Sequence, residues 1–420
     1  MRVLVLLCLL LPPLLAPAQT VAADADWRVR VTPFDEVFPA LELSQARRHA
    51  TAAPTDHVLG DGTGLIAVRV HARRAGERVR VHVDAPGLGA PVRFEATLAL
   101  ADIDYELHPA LDWDVARLQA LPTPLATRLQ ITLERDDAVA GTREVAVSLR
   151  PLDEALYFVR DGGDSVDLSW IFAAYVDERG AVVDNILDAA EKSAIVDKFD
   201  GYASADPDRV YRQVWAVWQA LTEHGIRYSS ADPAIGRGPR VFSQRVRFIA
   251  QTWSDRSANC VDGSVLIASV LQRIGLRSFL VLVPGHAFVG FYTDADAQRA
   301  AYLETTLLGA TVAAPPKSPS FATDVEPTRA NRSSLAGFAA ALAAGRAHRT
   351  RIASKLDGRH RPDYAVIDIS AARAFGIHSI EAERATNDGA QSPSRRADQN
   401  RSMNAAPPSV VERDTSRVPR

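Results

Sequence analysis

Cysteine is scarce in this chain of 420 residues, which contains only Cys8 and Cys260. Several catalytic motifs are also missing, namely the phosphate-binding loop, the CxxC pair, HExxH and GxSxG. These absences argue against P-loop NTPases, zinc hydrolases of the HExxH type and serine hydrolases with a nucleophile elbow. The formal net charge is only −3, which provides no broad attraction for nucleic acid.

Long apolar runs are limited to the N-terminus. Residues 1–23 have the parts of a secretory signal peptide: a charged start at Arg2, an apolar core at residues 3–11 and a small-residue cleavage site. An uncleaved anchor is the alternative, but the apolar run is short and two prolines follow it. We therefore expect a secreted or periplasmic protein with no stable membrane span after cleavage.

Removal of that peptide would leave Cys260 as the single cysteine. Exported proteins usually pair their thiols or avoid them. An unpaired cysteine in such a chain suggests either intermolecular pairing or a reactive nucleophile, and a buried, inert thiol is the alternative. The polar residues just before Cys260 argue against simple burial.

Cys260 begins an apolar run that continues to Ile274 and stops at Gly275, a residue typical of the position just past a helix end. Apolar residues cover most of the surface of this predicted helix, so we expect it to be buried. Cys260 would then lie at the helix N-terminus, where the helix dipole and free N–H groups favour an anion. That position favours a nucleophilic thiolate.

A histidine and a carboxylate follow on predicted strands. Residues 279–283 are typical of a buried strand, Pro284-Gly285 of a turn, and His286 begins the next strand. Glu304 lies in a third predicted strand, residues 301–306. A helix followed by an antiparallel meander can bring the three groups together as a nucleophile, a base and a residue that orients the base. We therefore predict a catalytic triad of Cys260, His286 and Glu304.

These motifs, Cys260 in NCVDG, His286 in GHAF and Glu304 in LETT, resemble those of the transglutaminase-like superfamily. Glu304 stands where that family more often has Asp, and Gly290 stands where a Trp-Val-Glu sequence would place Glu. The resemblance covers about the middle third of the chain. It implies a papain-like fold in which a buried cysteine helix packs on an antiparallel sheet. We expect no cofactor and no metal.

Papain-like folds usually have an oxyanion donor, Gln or Trp, a few residues before the cysteine. The resemblance therefore implies Gln251 or Trp253 as candidates, and the residues themselves do not decide between these two and a core role. Five arginines are concentrated between residues 237 and 256. They are candidates for recognising an acidic group, although salt bridges to neighbouring loops are the more favoured interpretation.

Before this region, residues 24–150 are dense in short strands with alternating apolar and polar residues, which is typical of a two-sheet sandwich. The length allows two or three domains. We predict an α+β protein with a signal peptide (residues 1–23), an all-β sandwich domain (24–150), a transglutaminase-like cysteine domain (151–381) and a disordered tail (382–420). Residues 151–165 are predicted to be a linker.

The sequence thus predicts an exported thiol enzyme that acts on amide bonds through an acyl-enzyme on Cys260. The residues do not determine the acyl acceptor, and the resemblance, to bacterial-type members of the superfamily, implies hydrolysis by a peptidase or amidase. Cross-linking to an amine acceptor and a non-catalytic binding module on the same fold are the alternatives. The expected partner is a protein or peptide substrate, cell-wall peptide included, and not nucleic acid. The sequence does not determine the oligomeric state.

Overall fold

The computed structural model describes residues 26–45, 57–60, 64–87, 89–230, 238–315 and 317–380. The predicted signal peptide and the predicted disordered tail lie outside these residues. The fold is α+β, as predicted. Within the described residues, no helix has both the length and the apolar character needed to cross a membrane.

The first part of the chain is built almost entirely of strands. These are β1 (Trp27–Val31), β2 (Glu36–Val37), β3 (Val58–Gly60), β4 (Ile66–His71), β5 (Glu77–Asp84), β6 (Gly89–Ala90), β7 (Val92–Leu98), β8 (Asp104–His108), β9 (Asp112–Trp113), β10 (Leu125–Arg135) and β11 (Ala138–Leu149). Two short helices, α1 (Pro39–Leu43) and α2 (Val115–Gln119), interrupt them. The strand-rich character predicted for residues 24–150 is therefore present.

These strands form two main sheets. One has the order β1-β4-β8-β3, and the other has the order β2-β11-β10-β5-β7. Strand β5 shows why the pattern folds this way, since Val79, Val81 and Val83 are buried while Arg78 is exposed. Alternation of this kind gives each strand one apolar face. The buried faces of both sheets belong to one hydrophobic core.

The second part mixes helices with shorter sheets. Its strands are β12 (Glu154–Asp161), β13 (Asp164–Asp167), β14 (Arg227–Tyr228), β15 (Val241–Arg245), β16 (Ser257–Ala258), β17 (Ser278–Val283), β18 (His286–Tyr292), β19 (Ala300–Leu303) and β20 (Ala365–Asp368). Its α-helices are α3 (Ala181–Glu191), α4 (Pro207–His224), α5 (Ile249–Asp255), α6 (Cys260–Arg273), α7 (Arg329–Ile352) and α8 (Ile369–Ala374). Four 3₁₀ helices complete it: Ser169–Tyr175, Thr305–Leu307, Ser320–Ala322 and Ala353–Lys355.

An antiparallel sheet with the order β19-β18-β17-β20 carries helix α6 and, through β19, helix α7. Helix α6 is buried around most of its circumference, and Val265, Leu266 and Leu271 have no exposed surface. Gly275 follows the helix with φ of 78°. The predicted boundaries of this helix are therefore confirmed.

The prediction of a linker at residues 151–165 is wrong. Residues Glu154–Asp161 form β12, which pairs with β13 through a hairpin and with β15 on its other edge. Leu156 and Phe158 of this strand are buried. The turn at residues 161–164 is correctly predicted. Strand β12 was not predicted, because its apolar run is short and its partner strand β15 lies far along the chain.

Candidate active site

Cys260 is the first residue of α6, as the sequence predicted. Asn259 caps the helix, because its side chain accepts hydrogen bonds from the N–H groups of Val261 and Asp262, both at 2.9 Å. Asp262 completes a capping box by accepting from the N–H of Asn259. These bonds use the second and third N–H groups of the helix and not that of Cys260. The thiol is half-buried and forms no disulfide with any of the described residues.

The start of α6 is anchored by a buried ion pair. The backbone N–H and the Nε of Arg247 both donate to the Asp262 carboxylate at 2.9 Å. Arg245 similarly pairs with Asp153 at 2.6 Å. The salt-bridge interpretation therefore holds for these two arginines, while Arg237 lies outside the described residues.

His286 is the first residue of β18, directly after the Pro284-Gly285 turn. The register pairs it with Val283 of β17, and Gly285 has φ of 73°, which suits a tight turn. Side-chain exposure of His286 is 20%, so the ring is held by the sheet and still reaches the surface. The predicted position of this residue in the meander is confirmed.

Glu304 follows β19 instead of lying within it. The strand ends at Leu303, one residue earlier than the carboxylate, so the predicted strand of residues 301–306 is too long. The chain turns there because the backbone N–H of Glu304 donates to the carbonyl of Ala341 in α7 at 3.1 Å. Glu304 then caps the 3₁₀ helix Thr305–Leu307.

The Glu304 carboxylate is almost fully buried and has defined partners on both oxygens. Oε1 accepts hydrogen bonds from the N–H of Thr306 at 3.0 Å and from its hydroxyl at 2.8 Å. Oε2 lies 2.8 Å from Nε2 of His286. With Nε2 committed to the carboxylate, Nδ1 is the ring nitrogen that can exchange a proton with a nucleophile. The structure thus brings Cys260, His286 and Glu304 together.

The electrostatics of the site favour a charged imidazole. Burial by itself would lower the pKa of His286, but hydrogen bonds to Cys260 and Glu304, together with their negative charges, raise that pKa to about 9. Burial would likewise raise the pKa of Glu304, yet the hydrogen bond and positive charge of His286 and the donors of Thr306 lower it. The site therefore stabilises an imidazolium next to the Glu304 carboxylate.

A cavity of about 120 Å³ opens beside the thiol and the imidazole. Apolar and aromatic side chains form most of its wall, and one amide and one carboxylate contribute polar groups. Its lining includes Tyr157, Phe172, Gln244, Leu282, Pro284 and Asp363.

The two oxyanion candidates from the sequence do not line this cavity. Gln251 is exposed on α5, and Trp253 stacks on His224 with ring centroids 3.4 Å apart. Gln244 of β15 lies along the cavity instead, with its side-chain amide donating to the carbonyl of Arg245 at 3.0 Å. The resemblance places this donor a few residues before the cysteine, whereas β15 lies further upstream, so it did not indicate Gln244.

Two further residues near the triad were missed. His348 of α7 has Nδ1 at 3.7 Å from Oε2 of Glu304 and its ring at 5.4 Å from that of His286. Tyr228 has a pKa raised by burial and by the negative charges of Cys260 and Glu304. The spacing of Ala341, Gly345 and His348 along one face of α7 is the signal that could have indicated His348.

A nucleophile, a proton acceptor and an orienting carboxylate next to a cavity can carry out acyl transfer. The donor atoms of His286, Glu304 and His348 also lie close enough together to hold a metal ion. No protein-family model matches the chain, and no curated protein matches it either.

Proposed function

We propose that this chain is an exported thiol enzyme of the transglutaminase-like type, which cleaves amide bonds through an acyl-enzyme on Cys260. The observation that carries the proposal is the position of His286, which interacts with Cys260 and lies 2.8 Å from Glu304. The packing of α6 on the sheet β19-β18-β17-β20 supports a papain-like core. The two N-terminal sheets support a sandwich domain, whose proposed role is docking or substrate presentation.

The first half of the reaction forms the acyl-enzyme. The Cys260 thiolate attacks the amide carbonyl carbon, and the carbonyl oxygen takes up the negative charge. His286 then gives its proton to the amine nitrogen, the C–N bond breaks and the amine leaves. Glu304 keeps the imidazole oriented and stabilises its cation throughout.

The second half releases the product. Neutral His286 accepts a proton from water, the resulting hydroxide attacks the thioester carbonyl, and the thiolate leaves as the carboxylic acid product forms. In both halves the oxyanion would accept hydrogen bonds from the N–H of Cys260 and from the Gln244 amide, after that amide turns away from Arg245. No cofactor is needed for these steps.

A primary amine in place of water would make the same enzyme a cross-linking acyltransferase. The observation in favour of this second candidate is the exposed carboxylate of Asp363 at the edge of the cavity, which would attract a lysine-like amine. Hydrolysis remains the main proposal, with peptides, including cell-wall peptide, as the substrate class. Incorporation of a fluorescent primary amine into a peptide substrate separates the two activities.

The rate of alkylation of Cys260 by iodoacetamide across pH tests the proposal. We expect the wild-type thiol to react at pH 6.5 about 10-fold or more faster than the thiol of His286→Ala, because a free thiol has a pKa of about 8.5 and is mostly protonated there. His360→Ala removes an exposed imidazole that pairs with Asp357 and is the matched control, with no expected change. Cys260→Ser should abolish labelling.

Equal rates in wild type and His286→Ala would mean that the imidazole does not activate the thiol. The non-catalytic binding module would then become the better proposal. Fast alkylation that depends on His286, without cleavage of the amide tested, would instead mean that the thiol is activated and that this amide is not its substrate.

A further inference from the structure

We propose that His286, Glu304 and His348 form a binding site for a divalent transition-metal ion of the zinc class, and that the bound ion blocks the thiol chemistry. The binding site stands on the geometry alone, whereas the blocking effect rests on the function proposed above. The sequence predicted no metal site, and this inference departs from that prediction because His348 reaches the triad only through the packing of α7.

The distances between the donor atoms suit a single ion. Oε2 of Glu304 lies 2.8 Å from Nε2 of His286 and 3.7 Å from Nδ1 of His348, and all three donors lie within 4.8 Å of one another. An ion at about 2.0–2.1 Å from each donor in tetrahedral geometry needs donors roughly 3.3 Å apart. The two measured distances lie within about 0.5 Å of that value, one on either side of it. The two imidazole nitrogens, which lie within 4.8 Å of each other, would have to approach by no more than about 1.5 Å.

The carboxylate is already arranged as a ligand held by outer hydrogen bonds. Thr306 donates its N–H and its hydroxyl to Oε1, which fixes the plane of the carboxylate and leaves Oε2 for the two imidazoles. Metal-binding carboxylates are typically held by such outer partners. The ligand set of two histidines and one glutamate is also one that zinc prefers in open sites.

The three ligands are held by different elements that are packed firmly together. Helix α7 lies against β19 so closely that a Cβ atom on Gly345 would collide with the backbone carbonyl of Tyr302. The bond from the Glu304 N–H to the Ala341 carbonyl adds to this attachment. His348, one helical turn after Gly345, is thereby placed over the carboxylate.

One side of the cluster is covered by a buried aromatic ring, and the other side is accessible to solvent. The buried ring of Phe288 lies 6.1 Å from that of His286 and 5.6 Å from that of His348. Side-chain exposure is 20% for His286, 5% for Glu304 and 30% for His348, so an ion can enter from solvent and keep a fourth position for water. In such a site the protein leaves one coordination position of the ion open, as in catalytic or inhibitory zinc sites.

The ion would occupy the space of the proton between His286 and Glu304. Its bonds to Nε2 and Oε2 would leave His286 unable to become an imidazolium, so the thiolate–imidazolium pair is lost. Thiol catalysis and metal binding would therefore exclude each other at the same residues. Removal of the ion by a chelator would restore the pair.

Calorimetric titration of the full, EDTA-treated and dialysed protein with ZnCl₂ tests the binding. We expect one ion per chain, with affinity reduced by about 10-fold or more in His348→Gln and in Glu304→Gln. His360→Gln is the matched control and should bind as the wild type does, because that imidazole is exposed and lies outside the cluster. Circular dichroism spectra and melting temperatures would check that each variant is folded.

Cys260→Ala separates this site from a thiolate site and from the proposed catalysis. We expect that variant to keep its zinc affinity within about 2-fold, and its Co²⁺ form to lack thiolate charge-transfer absorption. Loss of binding in Cys260→Ala, or unchanged binding in both His348→Gln and Glu304→Gln, would overturn the proposed ligands.

In the wild type, zinc should slow alkylation of Cys260 and EDTA should reverse this. Binding without any effect on alkylation would overturn only the blocking role.

Discussion

Glu304 divides its two carboxylate oxygens between different tasks. One oxygen is held by Thr306, and the other accepts the hydrogen bond from His286. The first task keeps the carboxylate in place, and the second keeps the imidazole charged and oriented. At the scale of the residue, the quantity to measure is therefore the pKa of the His286 imidazole.

Glu304→Gln should lower the pKa of His286. The wild-type pKa is raised to about 9 in part by the hydrogen bond and charge of Glu304, and the amide keeps the shape but not the charge. Because the folded-state pKa is raised, His286 adds stability fully below its ordinary value of 6.5, and loses that contribution as the pH rises toward about 9. The variant should lose less stability across that range, and turnover in the proposed amidase reaction should fall by roughly 10²-fold or more.

NMR titration of the His286 imidazole in wild type and variant, with EDTA present, measures this directly. Glu144→Gln changes an exposed carboxylate that pairs with Arg128 on the protein surface and is a suitable control. An unchanged His286 pKa in Glu304→Gln would contradict the assigned orienting role.

Helix α7 acts as a unit that completes the site from outside the cysteine–histidine meander. It contributes the Ala341 carbonyl to Glu304 and carries His348, and Gly345 permits the close approach to β19. An element that holds this carboxylate by its backbone must be positioned accurately, since a hydrogen bond weakens when its distance or angle departs from the preferred geometry.

Gly345→Ala should separate α7 from β19. The new Cβ would meet the backbone of Tyr302 and Leu303, which cannot rotate away, so we expect a loss of about 1–3 kcal/mol in the free energy of unfolding. We also expect weaker zinc binding, because His348 moves with the helix. Gly163→Ala is the control, since a Cβ there meets nothing within 4 Å. Urea titrations give the comparison, and equal midpoints for the two variants would contradict the tight-contact argument.

Local patterns predicted α6 and the hairpin of β17 and β18 well. A terminal glycine and a Pro-Gly turn act over a few residues and can be recognised without knowing the rest of the fold. Gln244, His348 and the strand β12 could not be predicted in the same way. Their positions depend on contacts between parts of the chain that are distant in sequence, such as the pairing of β12 with β15.

On the scale of the whole molecule, the strand-rich part and the cysteine-bearing part share one hydrophobic core. Helix α1 packs against β12 and against the 3₁₀ helix Ser169–Tyr175. Glu154 lies at this junction with no exposed surface, bonded to Arg150 at 2.5 Å and also to the hydroxyl of Ser243. The two parts should therefore lose their structure together.

Glu154→Ala should destabilise both parts at once. It leaves the largely buried Arg150 without its main partner, which typically costs about 3–5 kcal/mol. Glu144→Ala removes one partner of an exposed pair and should cost no more than about 1 kcal/mol. Hydrogen exchange in urea, followed at β10 and at α6, should show both elements losing protection in one transition that moves to lower urea in Glu154→Ala. Separate transitions at the two elements would contradict the shared core.

The attachment of Glu304 to α7 also has a consequence for the order in which the protein is made. A nascent chain emerges from its N-terminus, so Cys260, His286 and Glu304 are all exposed to water before Arg329 begins the helix. Until Ala341 and Gly345 have followed, the backbone N–H of Glu304 lacks the α7 carbonyl to which it donates. The thiol should therefore gain the proposed reactivity only after α7 has been made and has packed against β19.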